Sequence, residues 1–521
     1  MKNNPTSLSG LPSSTRIGVI GAGTMGNGIA AVALRAGHPV SLHDSRTEVL
    51  DKAAEAIENI VARWVKRGDL QTADQAEYRA RLNLVPTLGG LNDCGLVIEA
   101  IIEDLKIKQT VFSALEQVVS REAILASNTS SISITAIGAG MQHPERLVGM
   151  HFFNPATVLP LVEIVSGEAT DPQIAELIAN TAAAWGKSPV HCRSTPGFIV
   201  NRVARPFYGE AMLALQERAC SKGTLDAALR DAGGFRMGPL ELMDLIGHDT
   251  NFAVTRTVYN SFFQDPRYKP SLLQQALVDA NWLGRKSGRG FHSYADGAPA
   301  PTVELAATTD APQQAVFMGK FAGIEELIAL ANEHDLSVEH LAGQGVIVLG
   351  DVRLLPSNGL TATRIAAESA TPNVVLFDAS IDYRKATLIV LAKADQCSDQ
   401  ALNKAVGFFQ KLGKNVTIID DIPGLLVLRT LCMLANEAAE AVCHGIASAA
   451  DVDTAMIKGV NYPMGPLAWA DQFGSQNVVS VLDHLAEAYP DGRYRSSALL
   501  RRKALTDSRW INYSQRAEEQ Q

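Results

Sequence analysis

The sequence predicts an α/β domain followed by an all-α domain, an adapter segment and a degenerate second all-α domain. Three observations carry this prediction. From about Arg16 to Leu161, short β-branched runs such as Ile17–Ile20, Leu96–Ala100 and Ala123–Ser127 alternate with amphipathic stretches. That is the rhythm of a parallel sheet covered on both faces. From about Pro196 to Tyr294, Met, Leu and Ala recur at three- and four-residue spacing, a helical period. Beyond residue 315 the helical stretch partly repeats itself.

Taken in order, residues 1–15 are polar and lack an apolar run, which predicts a flexible tail and not a signal peptide. The sheet domain covers 16–194 and the first helical domain 195–296. Residues 297–315 are rich in Pro, Ala and Thr and predict a semi-extended, poorly ordered linker. An adapter, a truncated α/β segment, fills 316–420, and the second helical domain runs over 421–521.

The strand Ile17–Ile20 leads into Gly21-x-Gly23-x-x-Gly26 and then an amphipathic run. Gly21 permits the tight turn, Gly23 lets backbone approach a pyrophosphate, and Gly26 lets helix and strand pack closely. An ordinary Gly-rich turn is the alternative. The context favours a Rossmann-type dinucleotide site, because Asp44 ends the next strand 21 residues past Gly23. An acid there accepts hydrogen bonds from ribose hydroxyls and repels a 2′-phosphate, so NAD is expected over NADP. Arg46 nearby weakens that preference.

The repeat has a constant register. Pro196 and Pro423 lie 227 positions apart, as do Met237 and Met464, Gly186-Lys187 and Gly413-Lys414, and Glu210 and Glu437. An ungapped match over some sixty residues means duplication of a helical unit. Features shared by both copies should serve the fold. Under the same shift His151 falls on Asp378, Glu163 on Val390 and Asn201 on Leu428. The polar residues are confined to the first copy, which predicts one active site per chain.

In Leu147–Val165 two β-type runs flank a loop with Asn154 and Pro155, and Glu163 follows His151 by twelve positions. Neighbouring strands can bring that pair together, although a buried histidine is more often a satisfied core residue. GAGTMGNGIA, VIEAIIEDLKIKQTVF, ASNTSSISIT, GMHFFNPATVLPLVEIV and PGFIVNR occur here in the order of the 3-hydroxyacyl-CoA dehydrogenases, which the chain resembles from about Ile17 to Tyr294. The linker and second helical copy resemble the long bacterial members of phenylacetate catabolism, which act on 3-hydroxyadipyl-CoA.

The resemblance implies NAD-dependent oxidation of an (S)-3-hydroxyacyl-CoA. His151 would be the general base, Glu163 its orienting partner, and Ser130 and Asn201 the residues holding the substrate oxygen and the reactive end. An imidazole can take the alcohol proton near neutral pH as hydride leaves. The alternative for Ser130 is a helix N-cap or turn serine, and for Asn201 a helix-terminus amide. Thr24, Met25, Glu103, Lys108 and Asn154 would join Gly21, Gly23, Gly26 and Asp44 around the cofactor, with Glu103 and Lys108 otherwise reading as solvated helix charges. Arg67, with Arg63 and Lys66, matches the stretch that meets coenzyme A. Competing readings are a 3-hydroxybutyryl-CoA or general β-oxidation dehydrogenase, and an inactive NAD- or acyl-CoA-binding protein.

A net charge of −9 gives no basic face for nucleic acid. No apolar run approaches the ~20 residues of a membrane span. Six scattered cysteines without a C-x-x-C pair predict reduced thiols, no metal site and a cytoplasmic protein. The duplicated helical domain predicts either a homodimer or an intrachain pseudo-dimer.

Overall fold

The computed structural model describes residues 9–71 and 74–511. Residues 1–8 of the expected tail lie outside them. The tail expected over 1–15 ends earlier than predicted: the Leu11 amide donates to Thr181 Oγ1 at 3.0 Å and the Thr15 amide to the Pro12 carbonyl at 2.8 Å. The chain forms two compact units, Met1–Arg202 with His444–Val460, and Val203–Cys443 with Asn461–Gln521.

Among the described residues the first unit holds eight strands: β1 (Ile17–Ile20), β2 (Val40–His43), β3 (Leu82–Val85), β4 (Leu96–Glu99), β5 (Ile124–Ser127), β6 (Leu147–Phe152), β7 (Leu161–Ser166) and β8 (Ser188–Arg193). Their order is β3-β2-β1-β4-β5-β6-β7-β8. The first six are parallel, which is the doubly wound arrangement, and β7 runs antiparallel to β6. β1, β2, β4 and β5 are buried along their whole length, so near-continuous apolar runs are what this position demands. Helix Thr47–Lys66 buries Leu50, Ala53, Ile57, Val61 and Trp64, one stripe at three- and four-residue spacing. Arg63 and Lys66 are left on its outer face.

The second unit contains a seven-stranded mixed sheet: β9 (Gln314–Met318), β10 (Ser337–Leu341), β11 (Val346–Leu349), β12 (Val352–Pro356), β13 (Val374–Phe377), β14 (Leu388–Lys393) and β15 (Asn415–Ile418), in the order β10-β9-β11-β12-β13-β14-β15. The shift of 227 reaches further here than the sequence motifs do. It carries β7 onto β14 residue for residue, helix Pro172–Ala184 onto helix Asp399–Lys411, and the first residues of β6 and β8 onto those of β13 and β15. The adapter is therefore the closing half of the first sheet copied, with β9–β11 in place of the opening strands.

Two boundaries need correction. Residues 297–315 are extended, as expected, but not poorly ordered. The Glu304 amide donates to Thr224 Oγ1, Ala306 to the Val416 carbonyl and Thr309 to Gln410 Oε1, each within 3.0 Å. A segment with few large apolar residues is held by its backbone groups instead. Nor is 421–521 one separate domain, because residues 444–460 belong to the first unit. The reason is a reciprocal exchange. The Arg193 amide at the end of β8 donates to the Ile446 carbonyl, while the Asp420 amide after β15 donates to the Ala219 carbonyl, both at 2.9 Å. Each contact is the other displaced by 227 at both ends.

Within the second unit the copies also share a polar clasp. Glu210, on helix Arg205–Gln216, accepts from Arg493 at 2.7 and 2.9 Å and from the Tyr494 hydroxyl at 2.7 Å. Its counterpart Glu437, on helix Val427–Cys443, accepts from Arg267 at 3.2 Å and the Tyr268 hydroxyl at 2.5 Å. No helix among the described residues is long and apolar enough to cross a membrane.

Candidate active site

The β6–β7 pair sets the centre of the site. Its antiparallel register places His151 opposite Glu163, and residues directly opposite each other share one face of a sheet. The His151 Nδ1 lies 2.6 Å from Glu163 Oε2, and both side chains are buried. Phe153 and Phe198 flank the imidazole, with ring centroids 4.5 and 5.9 Å away. Glu163 has a second duty. Its Oε1 accepts from the Ile199 and Val200 amides at 3.0 and 2.9 Å. Those amides face it because Gly197 and Phe198 take φ of +76° and +46°, a turn that the Pro-Gly pair makes accessible. Asn201 follows directly, in helix Val200–Val203. The carboxylate thus holds the ring and fixes the start of the segment bearing Asn201.

Ser130 stands three residues past β5, in a Ser/Thr-rich loop organised by Glu103. The Glu103 carboxylate accepts from Thr129 Oγ1 at 2.7 Å, the Ser130 and Ser131 amides at 3.0 and 3.1 Å, and Ser131 Oγ at 2.9 Å. Burial alone would raise its pKa, but the Thr129 hydrogen bond and the Lys108 ammonium outweigh it and hold the carboxyl below its ordinary value. The Ser130 hydroxyl reaches Glu103 only at 3.5 Å. The N-cap of the following helix is Ser133, so of the two alternatives for Ser130 only the turn serine stands. Lys108 is not a solvated charge. It is 1% exposed and bonds Glu99 at 2.7 Å, with Glu103 at 3.3 Å.

Glu99 and Lys187 carry no site role in the sequence reading. Glu99 is fully buried at the end of β4 and also accepts from Ser127 Oγ at 2.7 Å. An ionisable residue ending the apolar run Leu96–Glu99 was the available signal. The Lys187 ammonium donates to the Ala156 and Leu159 carbonyls and so braces the loop after His151. Burial, with Arg35 adding to it, pulls its pKa down to about 8. Lys414 repeats this brace on the Arg384 and Ala386 carbonyls, which explains the shared Gly-Lys pair. Asn154 is exposed and precedes a cis Pro155.

The glycine turn fits a dinucleotide. A Cβ on Gly21 would meet the Ala100 carbonyl oxygen at 2.5 Å and one on Gly26 the Gly21 oxygen at 1.7 Å, whereas one on Gly23 would meet nothing within 4 Å. Gly23 opens helix Thr24–Arg35, whose first turn holds Thr24 and Met25 and no acid. The helix thus offers N–H donors beside open space, what a pyrophosphate requires. Asp44 accepts from the Ala22 and Arg46 amides at 3.0 Å. Burial opposes its charge, yet those two bonds and the Arg46 guanidinium keep its pKa below the usual value. Arg63, Lys66 and Arg67 line a cleft of about 360 Å³ with Trp64, Pro155 and Val158. The basic face of the helix therefore opens beside the loop that follows His151.

Comparison with known proteins agrees with this arrangement. The family models described as 3-hydroxyacyl-CoA dehydrogenase, NAD binding domain, and as its C-terminal domain match residues 16–195, and 197–294 with 424–508. A 3-hydroxybutyryl-CoA dehydrogenase reduced Rossmann-fold domain matches 354–423. The chain is 44% identical over 492 residues to the 3-hydroxyadipyl-CoA dehydrogenase of Escherichia coli (strain K12), covering 94% of this chain and 98% of that protein. A crystal structure of 3-hydroxybutyryl-CoA dehydrogenase from Escherichia coli K12 superposes with a TM-score of 0.87 at 43% identity, covering 95% and 99% of the two chains. The (S)-3-hydroxybutyryl-CoA dehydrogenase of Ralstonia eutropha matches with a TM-score of 0.53 at 36% identity, over 54% of this chain and all of its own. With both domain models matched and a relative similar along nearly its whole length, the chain belongs to the 3-hydroxyacyl-CoA dehydrogenase family, the NAD-dependent oxidoreductases that oxidise 3-hydroxyacyl-CoA.

Proposed function

We propose that the chain oxidises 3-hydroxyadipyl-CoA to its 3-oxo form, with His151 as the general base. The observation that carries the reading is the 2.6 Å contact between His151 Nδ1 and Glu163 Oε2. A carboxylate there keeps the proton on Nδ1, so Nε2 is the nitrogen with a free lone pair. Nε2 takes the alcohol O–H proton as the C3 hydride departs and the C3–O double bond forms. Glu163 stabilises the resulting imidazolium. Ser130, on a loop pinned by Glu103, donates to the reacting oxygen, and Asn201 holds the thioester end. NAD, when bound, supplies the hydride acceptor. Gly21, Gly23, Thr24, Met25, Gly26, Asp44 and Asn154 would hold it, with Glu103 and Lys108 bordering the site through their ion pair. Arg67 would meet coenzyme A. The adipyl chain length is inferred from the similarity to the Escherichia coli 3-hydroxyadipyl-CoA dehydrogenase.

Replacing His151 with Gln is expected to lower kcat by roughly 10²–10⁴ while NAD affinity stays nearly unchanged. Stopped-flow NADH absorbance with separate cofactor titration measures both. A variant with near-wild-type kcat removes His151 from the mechanism. We further infer an intrachain pseudo-dimer, on the reciprocal Glu210 and Glu437 clasps, and a reducing, cytoplasmic setting, on the free cysteines.

A further inference from the structure

Strand β4 ends on a carboxylate with no exposed surface, Glu99. Its Oε1 accepts from the Lys108 ammonium and the Ile101 amide, each at 2.7 Å, and its Oε2 accepts from Ser127 Oγ at 2.7 Å. Lys108, on helix Leu105–Leu115, also lies 3.3 Å from Glu103 Oε2. Among the described residues neither carboxylate forms an ion pair with any other cation. Two carboxylates share one ammonium, so the cluster carries a net negative charge.

The fold alone gives no reason for this arrangement. An apolar side chain of similar volume would serve a buried strand end at least as well, because desolvation offsets most of an ion pair's attraction. The second copy agrees. Under the shift of 227 Ser127 falls on Leu354, fully buried in β12, so a strand in this place packs without the hydroxyl.

Position supplies the reason. Glu99 pairs with Ile20 of β1 on one side and with Ser127 of β5 on the other. That is the carboxyl end of the sheet where the strand order reverses, the crevice that dinucleotides cross. Asp44 follows β2 and the glycine turn follows β1. A dinucleotide with its adenosine ribose at Asp44 and its pyrophosphate at the turn therefore continues towards β4 and β5, the side on which the cluster lies. The nicotinamide ring is positively charged when oxidised and neutral once it has taken the hydride. Hydroxyl and phosphate contacts are common to both forms, whereas a fixed charge in a low-dielectric wall distinguishes them.

We propose that Glu99 selects the redox state of the bound cofactor, favouring the oxidised form. It acts through Lys108, as a positioning residue, and does not itself touch the cofactor. Without the Glu99 charge the ammonium is balanced by Glu103 alone, and the oxidised ring loses its net counter-charge. The proposal deepens the dehydrogenase reading and rests on it.

The test is the ratio of the dissociation constants for NAD and NADH, each obtained by calorimetric titration of the full chain without substrate. In Glu99→Gln the NAD constant is expected to rise on the order of 10-fold while the NADH constant stays nearly unchanged. Ser127→Ala removes a hydrogen bond to the same carboxylate and no charge, so it should keep the wild-type ratio even where the loop shifts and kcat falls. Glu103→Gln removes one unit of charge from a partly exposed side chain. It serves if Glu99→Gln does not fold, and is expected to move the ratio in the same direction. A ratio within about twofold of wild type in the folded Gln variants overturns the proposal. An equal shift in Ser127→Ala also overturns it, since loop packing and not charge would then set the ratio. A wild-type chain that binds neither NAD nor NADH sinks the dehydrogenase reading itself, a separate failure.

Discussion

At the scale of single residues, the two copies separate what Glu163 does for the ring from what it does for the backbone. Asp378 stands where His151 would be and accepts from the Leu426, Val427 and Leu428 amides at 2.7–2.9 Å. Burial pushes its carboxyl up to about 6, against the pull of these N–H groups. The second copy has kept the helix-start duty on a neighbouring strand and lost the ring and its partner. Glu163→Gln should therefore act on chemistry. If its carbonyl keeps the Ile199 and Val200 amides, its NH₂ faces Nδ1 and drives the ring proton to Nε2, the tautomer that cannot accept from the alcohol. We expect kcat to fall roughly 10²–10⁴ with little change in Tm. Asp378→Asn turns an NH₂ toward backbone N–H donors and should cost about 1–3 kcal/mol of stability, leaving kcat near wild type. Thermal melts and steady-state rates on the same preparations check both; matching kcat losses would refute the division of labour. The His151–Glu163 spacing was readable because two residues flanking a hairpin loop meet across antiparallel strands. Lys108 kept two readings, a cofactor-site residue and a solvated helix charge, because a sequence does not show burial; its burial against Glu99 removes the second.

At the scale of elements, the Lys187 brace connects β8 to the loop that carries the site. The folded state lowers the lysine pKa to about 8 from an ordinary 10.5. Below about pH 8 the ammonium is charged in both states and its burial penalty is fully present. Between about 8 and 10.5 the folded protein binds fewer protons than the unfolded chain, so this group adds stability as pH rises. The Tm difference between wild type and Lys187→Met is therefore expected to shift in favour of wild type from pH 7.5 to 9.5. At pH 7.5 the variant should lose on the order of 10-fold in kcat, because the Ala156 and Leu159 carbonyls lose their clamp and the loop drifts. A pH-independent Tm difference would contradict the titration. Elements were the part most legible in the sequence: the alternating apolar runs fall on strands, and the glycine triplet on the β1 turn. The duplicated strands were harder to see. β7 and β14 coincide under the 227 shift as LVEIVS and LIVLAK, because a buried strand asks only for apolar residues and leaves little identity to recognise. The segment 297–315 was misjudged for the converse reason: backbone hydrogen bonds hold it, and composition does not record them.

At the scale of the whole molecule, the proposed pseudo-dimer would make an isologous interface internal. Glu210 takes the arginine and tyrosine at 493 and 494, while Glu437 takes the equivalent pair at 267 and 268. The backbone bonds Arg193–Ile446 and Asp420–Ala219 obey the same exchange. The repeat was legible in the sequence, but its reciprocity was not, because neither half states which copy its charges face. A surface that satisfies its own counterpart within one chain can satisfy an identical copy from another chain. The Ralstonia eutropha enzyme matches over its whole length while covering 54% of this chain, and the family models of the first copy end at residue 294. Cut after residue 296, the chain exposes the face of helix Arg205–Gln216 that the second copy covers and leaves Glu210 without Arg493 and Tyr494. A second fragment can supply Arg267 and Tyr268 to that carboxylate. The expected product is a homodimer, whereas Glu210→Ala in the same fragment leaves two guanidinium groups uncompensated across the interface and should release monomers. Sedimentation velocity at micromolar concentration separates the two masses. A folded, monomeric 1–296 fragment would mean that the clasp evolved within the long chain and replaces no intermolecular contact.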